Sequence, residues 1–336
     1  MIRKTLVAAA AGVVMLGGVA GTANAEMSKI TVARQYGVSY LPLMVMQQHH
    51  LIEKHAKEEG IDGLKVQWVK FAGGNVMNDA LLSGSLQFAS GGVGPLVKIW
   101  AKTHGNLNVK GVSALNAMPL YLNTRNPNIH SLKDFTSKDK IALPAVKVSI
   151  QAVTLQMAAA QEFGEKNYDK LDKYTVSMSH PDGMQAMLSG MSEVDAHFTS
   201  PPYQYKELQD PKVHTVLTSF QVLGGPATFN VVWTTSKFHD NNPKLYKAFT
   251  GALSEAIDWI HNNQRDAAKL YLKAAHSKDP VDFIYKIITD PKVSYTMTPK
   301  HTTKYSDFLY KVGAIKVKPE SWKDMFFSNV HDLPGS

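Results

Sequence analysis

The 336-residue sequence contains no cysteine, which excludes disulfides, thiolate metal sites and cysteine nucleophiles together. It is also poor in arginine: Arg3, Arg34, Arg125 and Arg265 are the whole set, and lysine supplies nearly all the positive charge. A lysine-dominated surface, without clustered arginine and interleaved aromatics, argues against a nucleic-acid partner. Beyond the N-terminus no apolar run approaches the roughly 18–20 residues that span a bilayer. No GxGxxG or P-loop spacing is present for a nucleotide, and no GxSxG elbow for a serine nucleophile. The thirteen histidines include no i,i+4 pair, and the densest group, His49, His50 and His55, reads as solvated helix residues, so no metal site is expected. No paired-carboxylate site stands out, and no catalytic residue or cofactor is predicted.

What is present begins at the N-terminus. Arg3 and Lys4 precede an apolar run over Thr5–Ala20, broken by Gly12, Gly17 and Gly18, and Ala23-Asn24-Ala25 supplies a small-x-small cleavage pattern. This predicts a cleaved export signal over residues 1–25 and a mature chain from Glu26. The remainder is longer than one hydrophobic core usually supports, so two compact units are expected. Removing Arg3 and Lys4 lowers the formal charge from +8 to +6, a mild positive field suited to anionic solutes.

From Lys29 the sequence alternates short β-like runs with amphipathic helical stretches, the pattern of sheets covered by helices. Strands are expected over Lys29–Gln35, Leu64–Phe71, Leu86–Ala89, Val109–Leu115 and Leu120–Asn123. Helices are expected over Tyr40–Glu59, Val76–Leu82, with Asn75 as its cap, and Pro95–Thr103. A second series follows: strands at Lys140–Leu143, Tyr174–Met178, Val194–Phe198 and Val213–Thr218, with helices at Ser149–Phe163, Gly183–Ser189 and Tyr203–Leu208. After a strand at Val231–Thr234 the chain turns helical, over Pro243–Asn262, Arg265–Ala274, Val281–Ile288 and Thr302–Val312, with an irregular run from Lys316. Ala80-Leu81-Leu82-Ser83-Gly84 and Ala186-Met187-Leu188-Ser189-Gly190 repeat one theme in the two series.

This order, with Asn78–Ala89, Gly183–Gly190, Asn242–Phe249 and Ala256–Ile260, resembles the periplasmic substrate-binding proteins of ABC importers for nitrate, sulfonate and taurine, with their thiamine-precursor-binding relatives. The resemblance covers nearly the whole mature chain. It implies an α/β, periplasmic-binding-protein type II fold of two lobes joined by a two-strand hinge: residues 26–117 and 226–336 as the discontinuous first lobe, and 118–225 as the second. It further implies a monomeric periplasmic receptor that captures a small anionic or aromatic solute and hands it to a membrane permease and ATPase. An enzyme like the fungal pyrimidine-precursor synthase is the alternative. Its cysteine-rich motif is missing here, while a sensory receptor stays open as a third reading.

Within that framework Arg34, Tyr36 and Tyr40, after the first strand, are candidates for the cleft, because a guanidinium fork holds a carboxylate or sulfonate by paired hydrogen bonds. The tyrosines either line the pocket or support the loop. Asn75, with Gly73 and Gly74, and Ser90 with Gly91 follow the next two strands, offering backbone donors to an anion or serving only as turns. Asn116 and Asn230 sit at the two crossings. In the second lobe Lys147, Ser149, Ser200 and Tyr203 are candidates, Ser149 equally as a helix cap. His197 reads as a packed strand residue. Arg34, Lys147 and the basic balance favour a sulfonate, carboxylate or aromatic acid, Tyr36, Tyr40 and Tyr203 equally suit a neutral heteroaromatic, and the bulky aromatic surface of these loops exceeds what nitrate needs.

Overall fold

A computed structural model describes residues 26–336; the predicted export signal, residues 1–25, lies outside them. The chain runs β1 (Lys29–Arg34), α1 (Leu41–Gln48), α2 (Leu51–Glu58), β2 (Lys65–Lys70), α3 (Gly74–Leu82), β3 (Ala89–Gly92), α4 (Val93–Thr103) and β4 (Val109–Ala114). It crosses through β5 (Asn116–Ala117) into β6 (Tyr121–Thr124), β7 (Lys140–Leu143), α5 (Ile150–Phe163), β8 (Thr175–Ser177), α6 (His180–Ser189), β9 (Val194–Thr199), α7 (Tyr203–Glu207), β10 (His214–Thr218) and α8 (Ser219–Leu223). It returns through β11 (Asn230–Thr235), α9 (Ser236–Asn241), α10 (Pro243–Asn262), α11 (Gln264–Ala275), α12 (Val281–Ile288), β12 (Ser294–Tyr295) and α13 (Thr302–Lys311).

Two α/β lobes result. In the first, β1 pairs parallel with β2, and β11 runs antiparallel between β3 and β4. A bridge from Val32 to Phe88 joins the two sets into one row. The second lobe holds one sheet in the order β10-β6-β9-β7-β8. The crossings lie side by side: Leu115 N–H donates to the Asn230 carbonyl at 2.8 Å, Phe229 N–H to that of Asn116 at 3.1 Å, and β12 pairs with β5. They form the two-strand hinge. Strand β1 buries Ile30, Val32 and Ala33, and α10 covers that core with Leu245, Phe249, Ala252, Leu253, Ala256 and Ile260, one stripe at helical spacing. Among the described residues no helix is long and apolar enough to cross a membrane.

The structure departs from the expected elements where local backbone geometry intervenes. The single helix expected over Tyr40–Glu59 is two, because His50 adopts a left-handed conformation (φ 50°) between them. The third strand lies three residues later than expected, so Gly91 and Gly92 belong to a ladder opposite Val231 and Asn230 and are not a turn. The cap expected from Asn75 is absent: Gly73 occupies that position, and Asn75 lies exposed within α3. Helix α6 starts at His180 because the Ser179 hydroxyl accepts a hydrogen bond from Asp182 N–H. His55 is half-buried, 2.7 Å from Glu255 on α10, and not simply solvated.

Candidate ligand-binding site

Strand β1 delivers Arg34 to the boundary between the lobes, and the chain turns there through Gln35, Tyr36 and Gly37. Gly37 has φ 111°, and a Cβ on it would lie 2.8 Å from the Pro201 carbonyl oxygen, so both the turn and the close approach require glycine. At the same point Val38 N–H donates to that carbonyl at 3.2 Å, tying the lobes together. The second lobe presents the N-terminal ends of α5, α6 and α7. Ser149 caps α5, its hydroxyl accepting from Ala152 N–H.

Two adjoining cavities lie along this boundary, and Tyr36 lines both. The inner one is walled by Gln35, Tyr40, Gly92 and Phe229 from the first lobe and by Ser149, Ile150, Gln151 and His180 from the second. It holds about 10 Å³, room for about one water, so a solute enters it only when the lobes separate. The outer one holds about 250 Å³ and is lined by Arg34, Lys70, Tyr203, Lys206, Tyr271 and Asp279, among others.

Arg34 is 8% exposed. Among the described residues nothing accepts a hydrogen bond from its guanidinium, and burial depresses its pKa, with Tyr271, Tyr203 and Tyr36 as its electrostatic neighbours. Burial, and then the charge of Arg34, likewise depress Lys70, whose Nζ lies 5.1 Å from the Tyr36 ring centroid. Lys206 is paired with Asp279 across the lobe boundary at 3.0 Å. A buried cation without a counter-ion is costly, so the arrangement has the chemistry to accept an anion.

The other predicted residues divide. Tyr40 lines the inner cavity, its hydroxyl accepting from Asn230 Nδ2 at 3.0 Å. Asn116 donates to the Ser39 carbonyl at 2.6 Å, and Asn230 N–H donates to Asn116 Oδ1 at 3.4 Å, so both asparagines are spent inside the hinge. The Ser90 hydroxyl is committed to the Ala33 carbonyl at 2.5 Å, and Gly91 sits against Gln35 and Trp233. Ser200 is fully buried, and among the described residues its hydroxyl has no hydrogen-bond partner. Lys147 is exposed in a left-handed conformation, its carbonyl accepting from Lys98 Nζ across the lobes. Tyr203 stacks on His180 with ring centroids 5.7 Å apart.

Sequence reasoning missed His180, Gln151, Lys70 and Tyr271. The Ser-x-x-Asp spacing of Ser179 and Asp182 was the available signal for His180, since it starts a helix there. His197 is a packed strand residue as expected, fully buried, yet it also contacts Glu207 at 2.6 Å and His180 at 3.1 Å. Among the described residues no group of three or more His, Asp or Glu side chains is placed to hold a metal ion.

Comparison with known proteins identifies the fold. No curated protein matches the sequence. Among solved structures, the alkanesulfonate-binding protein SsuA from Xanthomonas axonopodis pv. citri, bound to MOPS, is 16% identical, with a TM-score of 0.69 over 87% of this chain and 95% of that one. The periplasmic nitrate-binding protein NrtA from Synechocystis PCC 6803 is 14% identical, with a TM-score of 0.67 over 89% and 84%. The ligand-binding component of an ABC-type import system from Staphylococcus aureus is 16% identical, with a TM-score of 0.66 over 91% and 99%. These likenesses establish a shared fold, the one the sequence resemblance implied. The NMT1-like family profile matches residues 23–273, well over half of the sequence, and the chain therefore belongs to the NMT1-like family.

Proposed function

We propose that this protein is a solute-binding receptor of an ABC importer, closing its two lobes on a small anionic or aromatic solute such as a sulfonate or carboxylate. The observation that carries this reading is the buried guanidinium of Arg34, without a partner among the described residues and facing a cavity of about 250 Å³ built from both lobes and walled by Tyr36, Tyr203 and Tyr271. A guanidinium fork suits an oxyanion, and three tyrosines suit a flat or apolar body behind it. Solved relatives of this fold that bind alkanesulfonate and nitrate support the choice of an anion.

In this reading residues 1–25 direct export to the periplasm and are removed after Ala25. The lobes divide as 26–117 with 226–336, and 118–225. The protein acts as a monomer without bond chemistry, and a membrane permease with its ATPase receives the solute. Arg34, Tyr36 and Tyr203 touch it directly, Tyr40 and Ser149 line the inner cavity, and Asn116 and Asn230 hold the hinge.

The test is thermal unfolding of residues 26–336 with taurine, benzenesulfonate, benzoate, nitrate and cytosine. A ligand that binds only the folded state stabilises it by about 2.7 kcal/mol at a hundredfold excess over Kd. We expect a rise in Tm with a sulfonate or carboxylate that disappears in Arg34→Ala. No rise with any of them, in folded protein free of copurified ligand, overturns the receptor reading; a rise retained in Arg34→Ala removes Arg34 as the anchor.

A further inference from the structure

Behind the second-lobe wall of the inner cavity runs a buried polar chain. Gln151 Nε2 lies 3.2 Å from His180 Nε2, His180 Nδ1 lies 3.1 Å from His197 Nε2, and His197 Nδ1 lies 2.6 Å from Glu207 Oε1. Asn123 Nδ2 donates to the other Glu207 oxygen at 2.9 Å. Glu207 and His197 are fully buried, while His180 and Gln151 reach the cavity. Among the described residues His197 is the one basic group paired with Glu207.

We propose that binding of an anion in this cleft is coupled to the uptake of one proton by the Glu207–His197–His180 chain, which through Gln151 sets the hydrogen-bonding edge offered to the inner cavity. This rests on the receptor reading above and adds a specificity device to it.

The chain has two self-consistent polarities. In the first, His197 Nδ1–H donates to the Glu207 carboxylate, His180 Nδ1–H donates to His197 Nε2, and Gln151 donates to His180 Nε2. Every ring nitrogen is satisfied, but one negative charge is left behind the cleft. In the second, a proton added to His197 makes a neutral imidazolium–carboxylate pair. His197 Nε2–H then donates to His180 Nδ1, His180 Nε2–H donates outward, and the Gln151 amide turns to accept it with its oxygen. Both amide hydrogens are thereby freed for the cleft. The first polarity offers a mixed donor–acceptor edge, suited to a neutral amide-like solute; the second offers donors alone, suited to an oxyanion.

Electrostatics links the choice to the ligand's charge. An anion held by Arg34 in the outer cavity lies beside Tyr203, which stacks on His180, and so faces the Glu207 carboxylate through a wall of buried side chains, where like charges repel strongly. Uptake of a proton removes that repulsion. Burial, and then the neighbouring His197, hold the His180 pKa well below the ordinary histidine value, so His180 relays the hydrogen bonds as a neutral ring. The surroundings are few. Thr199 on β9 lies 3.3 Å from His180 Nδ1, Tyr203 on α7 stacks on its ring, and Asp182 on its own helix is held by Ser179 at 2.5 Å. Arg34 and Asp279 face Tyr203 from the other lobe.

The measurement is calorimetric titration with benzoate and benzenesulfonate at pH 7.5 in buffers of different ionisation enthalpy, where the slope counts protons. The wild-type protein should take up about one proton per anion bound, with affinity falling as pH rises. Glu207→Gln should bind with a slope near zero and a flat pH profile, which a merely structural role for Glu207 would not produce. Should that variant not fold, His197→Gln, which removes the seat of the proton, must lose the uptake in its place. A probe that binds the wild type with zero slope overturns the coupling and leaves the receptor reading standing, and an unchanged slope in the folded variant assigns the proton elsewhere and also overturns it. Failure of every anion in the thermal screen removes the receptor reading and this inference together.

Discussion

Asp195 shows how one side chain's surroundings set its chemistry. Burial first, and then a hydrogen bond with Asp139, push its pKa up to about 6, while Asp139 itself is held below the usual carboxylate value by hydrogen bonds from Thr136 and Asn126 and by the proton it shares with Asp195. The folded protein thus holds that proton more firmly than the unfolded chain. Its stabilisation is complete below the ordinary aspartate pKa and is lost as pH rises through about 6. Asp195→Asn carries a permanent donor toward Asp139 and should be more stable than the wild type at pH 8, by about 1 kcal/mol after allowance for partial solvent access, and closer to it at pH 5. Melting curves at the two pH values decide this; an identical difference at both refutes it. The same scale explains what the sequence revealed of the site. Arg34 was readable because it ends a recognisable strand. Glu207, His197 and His180 were not, because three elements bring them together.

At the scale of elements, helix α10 is capped from far away in sequence. Asn242 is its N-cap residue but spends its side-chain oxygen on Met27 N–H at 2.9 Å, and makes no side-chain cap. The exposed helix donors are met by Glu26, whose carboxylate accepts from Lys244 N–H at 2.8 Å and Leu245 N–H at 2.7 Å. A carboxylate there also complements the positive end of the helix dipole. Glu26→Ala should cost about 1–2 kcal/mol and speed hydrogen exchange in the first turn of α10. Unfolding by urea measures the first, and amide exchange at Lys244 and Leu245 the second; wild-type values in both would show that the cap is dispensable. Pro243 marked this helix start in the sequence, whereas its capping partner 218 residues earlier did not register. The two-residue β12 was equally silent, because it exists only by pairing with β5.

For the whole molecule, the closed arrangement depends on a few close approaches between the lobes. A Cβ on Gly92 would lie 2.4 Å from Ile150 Cγ2 and 2.5 Å from its Cβ, atoms too close to the backbone to swing aside. Lys206 pairs with Asp279, and Tyr305 on α13 reaches Thr154 on α5 at 3.4 Å, tying the same two bodies elsewhere. Gly92→Ala keeps an ordinary backbone (φ −71°), so its effect falls on closure. Overpacking of about 1–3 kcal/mol should weaken benzoate binding about ten- to hundredfold and enlarge the radius of gyration measured by X-ray scattering. Unchanged affinity and radius would show that the lobes do not close through this contact.

Hydrophobic periodicity and helix signals, summed over long windows, determined the alternation of strands and helices, and the resemblance carried by stretches such as Asn78–Ala89 and Gly183–Gly190 pointed to the two-lobed fold and the family. They depend on neighbours along the chain, such as the apolar stripe of α10 and the Ser149 cap of α5, and need no knowledge of what packs against them. Only the tertiary structure decided that Gly91 and Gly92 form a strand, that Asn116 and Asn230 are spent in the hinge, and that His180 is wired to Glu207. Each of these is a contact between distant segments, and its energy lies in burial and hydrogen bonding that exist only once the segments have met.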